Sequence, residues 1–257
     1  MPTGPDGSDA RLERERAFHD RLAATLDPRA MPPEPLGPLE QAMLTAAQIA
    51  PGDRVLDVGC GSGDLTIHLL LRGADVTGID LSPGILALAD DRIRLYARGR
   101  AADLRAMPVE AMALSDDAFD VVVGRFILHH LDIGRAAPEI ARVLRPGGRA
   151  AFAENSGRNP LLMAARRHVV GRFGVPRLGT DDEAPLSDAD VAAITPHFAE
   201  VRLAYPVFEF FRIFDRQVLR FRSPYASRLL RGLDRAAAAV PAVRPYSFRV
   251  LVTATAR

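Results

Sequence analysis

Val55-Leu56-Asp57-Val58-Gly59-Cys60-Gly61-Ser62-Gly63-Asp64-Leu65-Thr66 is the stretch on which the reading of this chain turns. A short β-branched apolar run, Arg54 to Val58, leads into three glycines and then an apolar helix from about Asp64 to Arg72. A strand that delivers a glycine-rich turn to a helix N-terminus lets the backbone approach a ligand closely, because no side chain intervenes. Asp80 follows Gly59 by 21 residues, at the end of the next strand, where a carboxylate can accept hydrogen bonds from ribose hydroxyls. A dinucleotide fingerprint needs glycine at the first, third and sixth positions. Counted from Gly59, the sixth position is Asp64, a carboxylate where a pyrophosphate belongs. Asp57 is equally poor company for a phosphate, but good company for a cationic amino-acid group. The spacing therefore speaks against a nicotinamide cofactor.

Outward from this turn the pattern alternates strand and helix. Asp75 to Ile79 reads as the second strand, and Ser82-Pro83 as a helix start that runs to Arg98. Leu104 to Val109 is a weak third strand and Phe119 to Val123 a strong fourth. Ile133 to Leu144 is helical, stops at Pro146-Gly147-Gly148, and gives way to a fifth strand, Arg149 to Glu154. Further on come a helix near Leu161 to Val170, a loop to Pro185, a capping box at Ser187 and Asp190, and strands at Val201 to Val207 and Ser247 to Ala254. This alternation predicts an α/β, Rossmann-like sheet of seven mostly parallel strands, the last antiparallel, with helices on both faces. Residues 1–9 are expected to lack regular structure, Ala10 to Leu26 to form a helix, and the prolines from Pro28 to Pro38 to separate it from a second. The expected organisation is a flexible N-terminus and helix over 1–37, a main domain over 38–257, and a helical, lid-like insertion over 208–240.

Composition narrows the function classes. The chain has 257 residues, 48% hydrophobic, enough for one sizeable α/β core. Its single cysteine, Cys60, excludes a disulfide framework and a multi-cysteine metal cage. The formal net charge of +1 gives no general attraction to nucleic acid. All 33 basic residues are arginines, as in a protein from a GC-rich bacterial genome. The start of the chain carries no secretory pattern, so a cytoplasmic protein is the expectation. Asp181-Asp182-Glu183 suggests at most a solvated acidic loop, and no metal site is expected.

The stretch Asp57 to Gly63 resembles the first motif of class I S-adenosylmethionine-dependent methyltransferases. Asp80-Leu81-Ser82, Glu110-Ala111, Phe119-Asp120-Val121-Val122, Leu128-His129-His130-Leu131 and Arg142-Val143-Leu144-Arg145-Pro146-Gly147-Gly148 resemble later features of that family, in order, over about residues 50–155. The segment from Val109 to Phe119 is about two residues short of the family pattern. Within the family the chain looks like the small-molecule type, similar to the ubiquinone and menaquinone biosynthesis group. The resemblance implies S-adenosyl-L-methionine as cofactor, with Asp57 and Gly59 near its methionine end and Gly61 and Gly63 beneath it. Cys60 lies in the same loop, where a small packing residue also explains it. Asp80 and Leu81 would take the ribose, Glu110 and Ala111 the adenine, and Arg125 or Phe126 the edge beside the sulfonium.

Methyl transfer from a sulfonium is an in-line displacement that depends largely on alignment, helped by a base when the acceptor is a hydroxyl. His130 is the first candidate for that base, by its place in the resemblance, and His129 the second; both could instead pin the turn after strand four. Glu154, at the end of strand five, could orient an acceptor or cap the following helix. Phe211, Phe214, Val218 and Phe221 share one side of a helix and Arg212, Arg216 and Arg220 another. The reading for them is a packing or lid helix that covers the acceptor, with a surface helix against anionic lipid as the alternative. Asn159-Pro160, Arg166-Arg167 and Asp182 to Leu186 resemble methyltransferases of surface-polysaccharide and specialised-metabolite pathways. The expected function is therefore methyl transfer to a small organic acceptor, most simply on oxygen, without nucleic acid as partner. The alternatives are a protein that holds the cofactor without turning it over and an enzyme that uses it for non-methylating chemistry.

Overall fold

The strands alternate small and branched apolar residues on both sides, so both faces of the sheet must be covered. Leu56, Val58, Val122, Phe152 and Val252 fill one core, while Val55, Val121, Val123, Ala151 and Leu251 fill the other, on the opposite face. The computed structural model describes residues 5–168, 170 and 184–257. Seven strands form one sheet in the order β3-β2-β1-β4-β5-β7-β6: β1 Arg54–Val58, β2 Asp75–Asp80, β3 Asp103–Ala106, β4 Phe119–Arg125, β5 Leu144–Asn155, β6 Glu200–Ala204 and β7 Arg249–Thr255. β1 to β5 pair in parallel, whereas β7 lies antiparallel between β5 and β6. This is the expected Rossmann-like fold. The reversal of strand order beside β1 opens a crevice at the carboxyl ends of β1 and β4, where such sheets bind ligands.

Helices α2 Pro38–Ala47, α3 Asp64–Leu71 and α4 Pro83–Tyr96 close the core that contains Val55. Helices α5 Ile133–Val143 and α7 Asp188–Ile194 close the other, the latter opened by the Ser187–Asp190 capping box. Ser82 caps α4 by accepting from the Ile85 amide at 3.0 Å.

Three expectations need correction. Helix α1, Pro5–Ala23, begins within the stretch expected to lack structure, because its far end is anchored: Asp20 accepts from the Ser82 hydroxyl at 2.5 Å and the Gly84 amide at 3.0 Å. β5 starts at Leu144, ahead of the Pro-Gly-Gly stop. The chain bulges there, so that Phe119 pairs with Leu144 but Val121 with Arg149, and Gly147 takes φ +71°. The insertion is not one continuous stripe. Short α8, Phe210–Phe214, continues as a π-helical turn, Asp215–Leu219, and breaks at Arg220 and Phe221, both left-handed, before α9, Pro224–Ala239. Phe214, Val218 and Phe221 consequently stay about half exposed, where the packing-helix reading would bury them. Helix α6, Pro160–His168, precedes the acidic stretch Asp181 to Glu183, which lies outside the described residues. No helix among the described residues is long and apolar enough to cross a membrane.

Candidate functional site

The β1–α3 turn does what its glycines allow. Gly59, Gly61 and Gly63 all adopt positive φ, at +65°, +51° and +81°. A Cβ on Gly59 would press against Ile127 Cγ1 at 2.6 Å, whereas a Cβ on Gly61 would project into open space. Gly61 also lines a cavity of about 140 Å³ over the carboxyl ends of β1 and β2. Of the sequence-derived residues, Gly59, Gly61, Asp80, Leu81, Glu110 and Phe126 line it, as does His130. Asp80 holds the turn from the side, accepting the Gly61 amide at 3.0 Å and the Ser82 amide at 3.0 Å. Glu110 sits on a 3₁₀ turn, Val109–Ala111, with Oε1 accepting from the Asp132 amide at 3.1 Å. Its Oε2 is buried without a hydrogen-bond partner although the residue faces the cavity. A buried acceptor in that state is costly unless a donor arrives.

Asp57, Cys60, Gly63, Ala111 and Arg125 lie around this cavity without lining it. Asp57 is buried and accepts from the Thr66 hydroxyl at 2.7 Å; burial pushes its carboxyl up to about 7 against the pull of Thr66 and Arg125. Cys60 turns its sulfur toward Gly78, where a Cβ would meet it at 3.0 Å, and burial holds its thiol well above the ordinary range. It is therefore a packing residue in this loop. Arg125 reaches back to Asp64 at 3.3 Å, beside the buried Arg92, which pairs with the same carboxylate at 2.5 Å.

Helix α1 roofs the cavity with Leu12, Glu15 and His19. Arg11 donates to Glu110 Oε1 at 2.9 Å and also to the His130 carbonyl, while Glu15 meets His130 Nδ1 at 2.7 Å. No pattern in α1 announces this role, because its partners lie about a hundred residues away. The lining holds Glu15, Asp80 and Glu110 but no arginine.

His129 faces the other way. It lines a second cavity of about 320 Å³ between α6 and α8, which shares the ring of Phe126 with the first. The two imidazoles are 4.2 Å apart, one on each side of this divide. Glu154 explains the arrangement: instead of capping α6 it turns both oxygens back into the β4–α5 loop. Oε1 accepts from the Ile127 amide at 2.7 Å and the Leu128 amide at 2.6 Å, and Oε2 meets His129 Nδ1 at 2.9 Å. Phe126 itself holds φ +55°, a conformation that side chains rarely adopt, and its ring lies 4.7 Å beneath the Arg249 guanidinium. Strain of this kind persists where surroundings over-determine it, as at ligand clamps. Among the described residues no group of three or more His, Cys, Asp or Glu side chains is placed to hold a metal.

Comparison with known proteins adds to this geometry. Residues 56–152 match the family model described as a methyltransferase domain. An uncharacterized methyltransferase of Mycobacterium tuberculosis is 39% identical over 125 residues, covering 48% of this chain and 49% of that protein. The chain thus spans about half the length of the relatives it matches. The geranyl diphosphate C-methyltransferase of Streptomyces coelicolor, solved with Mg²⁺, geranyl diphosphate and S-adenosyl-L-homocysteine, superposes with TM-score 0.58 at 15% identity, covering 85% of this chain and 78% of that one. A (4+2)-cyclase superposes equally well, with TM-score 0.58 at 19% identity over 85% of this chain and 79% of its own. At such identities the two structures share the fold alone. Family match, ordered motifs and sheet topology agree: over residues 56–152 the chain is similar to the methyltransferase-domain family, and it is built on a Rossmann-like sheet.

Proposed function

We propose that this protein transfers a methyl group from S-adenosylmethionine to an oxygen of a small organic acceptor. The observation that carries the reading is the pair of cavities on either side of Phe126, one lined by carboxylates and the other holding a histidine fixed by a buried glutamate. The residues of the first cavity fit this cofactor. Glu110 Oε2 is a buried acceptor in want of a donor such as the adenine amino group, and Gly61 leaves open the space that a Cβ would fill. Asp80, with each oxygen engaged by one amide, keeps lone pairs for ribose hydroxyls. Glu15 and buried Asp57 suit a ligand that carries positive charge at its amino and sulfonium centres. When bound, the cofactor supplies an electrophilic methyl group.

The remaining work belongs to the chain. Phe126 and Ile127 fix the boundary across which acceptor and methyl meet, with α1 flanking it on one side and α6 and α8 on the other. His129, with Nδ1 committed to Glu154, has Nε2 left to take the proton of an acceptor hydroxyl. His130, whose Nδ1 meets Glu15 and which lines the first cavity, acts on the cofactor side. We therefore place His129 ahead of His130 as the base. The helical insertion 208–240 supplies one wall of the second cavity through Ile213, Arg216 and Gln217, consistent with a specificity lid.

The test is product analysis: purified protein is incubated with methyl-labelled S-adenosylmethionine and a panel of hydroxylated small molecules. Formation of S-adenosylhomocysteine together with a methyl ether on an acceptor is the expected result. Cofactor binding without turnover, or an acceptor altered without gaining the label, would replace this reading with a binding protein or a non-methylating enzyme.

A further inference from the structure

The second cavity differs in charge from the first. Its described lining holds three guanidiniums, Arg166, Arg216 and Arg249, and no carboxylate, around an apolar interior that includes Phe126, Met163 and Ile213. Arg249 is already engaged: Nε pairs with Glu209 at 2.9 Å, Nη1 donates to Asn155, and the guanidinium stacks over Phe126 and Phe248. Glu209 also lies 3.9 Å from Arg212, so one carboxylate serves two arginines. Arg216, on the π-helical turn, makes no hydrogen bond or ion pair among the described residues. Arg216 is exposed at the edge of the cavity, where desolvation on the cavity side, and then the neighbouring Arg249 charge, disfavour its cationic form. An arginine that stays charged beside an apolar cavity, crowded by its own kind, is relieved most directly by an anion, which its planar fork can bind through two parallel hydrogen bonds.

We propose that the acceptor is an amphipathic organic anion. Its apolar body occupies the cavity between α6 and α8, its carboxylate or phosphate meets Arg216 with Arg249 behind it, and its hydroxyl faces His129. This rests on the second cavity being the acceptor site of the reaction proposed above. The opposite charge of the two cavities would then sort their ligands, cationic donor to one side and anionic acceptor to the other.

The test compares ligands matched in body and unmatched in charge. The full chain, with and without S-adenosylhomocysteine, is titrated calorimetrically with 3-hydroxy-2-naphthoate, 2-naphthyl phosphate and the neutral 2-naphthol. At least one anion should bind about ten-fold or more tightly than 2-naphthol, in keeping with a charged hydrogen-bond pair. Which of the two does so identifies the anionic group. Arg216→Gln should abolish the difference and leave 2-naphthol unchanged, while Arg228→Gln on exposed α9 should behave as wild type. Equal or tighter binding of 2-naphthol, absence of saturable binding by either anion, or a preference that survives Arg216→Gln each overturns the proposal. S-adenosylhomocysteine titrated into the same samples separates the two readings. Cofactor binding without anion preference defeats this inference alone, and Arg216-dependent anion binding without cofactor binding defeats the methyltransferase reading alone.

Discussion

Glu154 Oε2 lies 2.9 Å from His129 Nδ1 while its Oε1 accepts two consecutive backbone amides of the same loop. One buried carboxylate thereby fixes both the ring and the chain that carries it. His129→Gln should lower turnover by about 10²–10⁴-fold, the range for loss of a general base, with cofactor affinity nearly unchanged. Glu154→Gln keeps the shape but not the charge, and should lower kcat more than it raises KM. Steady-state kinetics checks both variants. A Glu154→Gln enzyme that melts earlier yet turns over normally would reduce this pair to loop bracing.

Asp57 should make stability depend on pH in a definite direction. Its folded pKa is raised, by burial first, from the ordinary 3.8 to about 7, so the fold favours the neutral acid. The stability it contributes is present below its unfolded pKa and is lost as pH rises through the folded one. Urea unfolding of the ligand-free protein from pH 4.5 to 8 should show this loss, and Asp57→Asn should lack that component. Affinity for S-adenosylhomocysteine, whose ammonium group favours the ionised carboxylate, should rise over the same interval in wild type and stay flat in the variant. Parallel curves for the two proteins would remove Asp57 from the cofactor site.

Two neighbouring glycines should fail differently. Gly59→Ala drives a methyl group into Ile127 at a positive φ, and should cost about 1–3 kcal/mol of stability. Gly61→Ala meets no atom within 4 Å, so its cost is confined to a left-handed alanine, about 1 kcal/mol, while its methyl group should crowd the cofactor in the proposed site. Melting and titration together should show Gly61→Ala as the weaker destabiliser and a marked loss of affinity in a protein that still folds. Full affinity in Gly61→Ala would place the ligand elsewhere.

Helix α1 contributes Leu12, Glu15 and His19 to the roof of the first cavity, yet it supplies no strand to the sheet. Removal of residues 1–26 should leave a cooperative melt and accelerate release of S-adenosylhomocysteine, measured by stopped-flow displacement. Unchanged release would mean that the helix packs on the site without closing it.

The fold was legible where one residue type serves one local purpose. The glycines of the β1–α3 turn, the Ser82-Pro83 cap and the runs of Val in β4 each announce an element by steric rules that act within a few residues. Asp80 was legible for the same reason, since the end of β2 follows from the strand itself. Pairings across the chain were not. Arg11 with Glu110, and Glu15 with His130, join segments that only the folded sheet brings together. Adjacent histidines cannot be ranked without knowing which way each ring turns, and that is decided by Glu154 from another strand. The exposure of Phe214, Val218 and Phe221 escaped for a related reason: helical spacing marks a common side, but the left-handed break at Arg220 and Phe221 decides what that side meets.

Calorimetric titration of the ligand-free protein with S-adenosylhomocysteine, with NAD as control ligand and Asp80→Ala as control variant, tests the cofactor site most directly. The geometry predicts saturable binding with one site per chain, no response to NAD, and about ten-fold or greater weakening in Asp80→Ala through loss of charged hydrogen bonds to the ribose. A well-folded wild-type protein that ignores S-adenosylhomocysteine, or that binds NAD in its place, would contradict it.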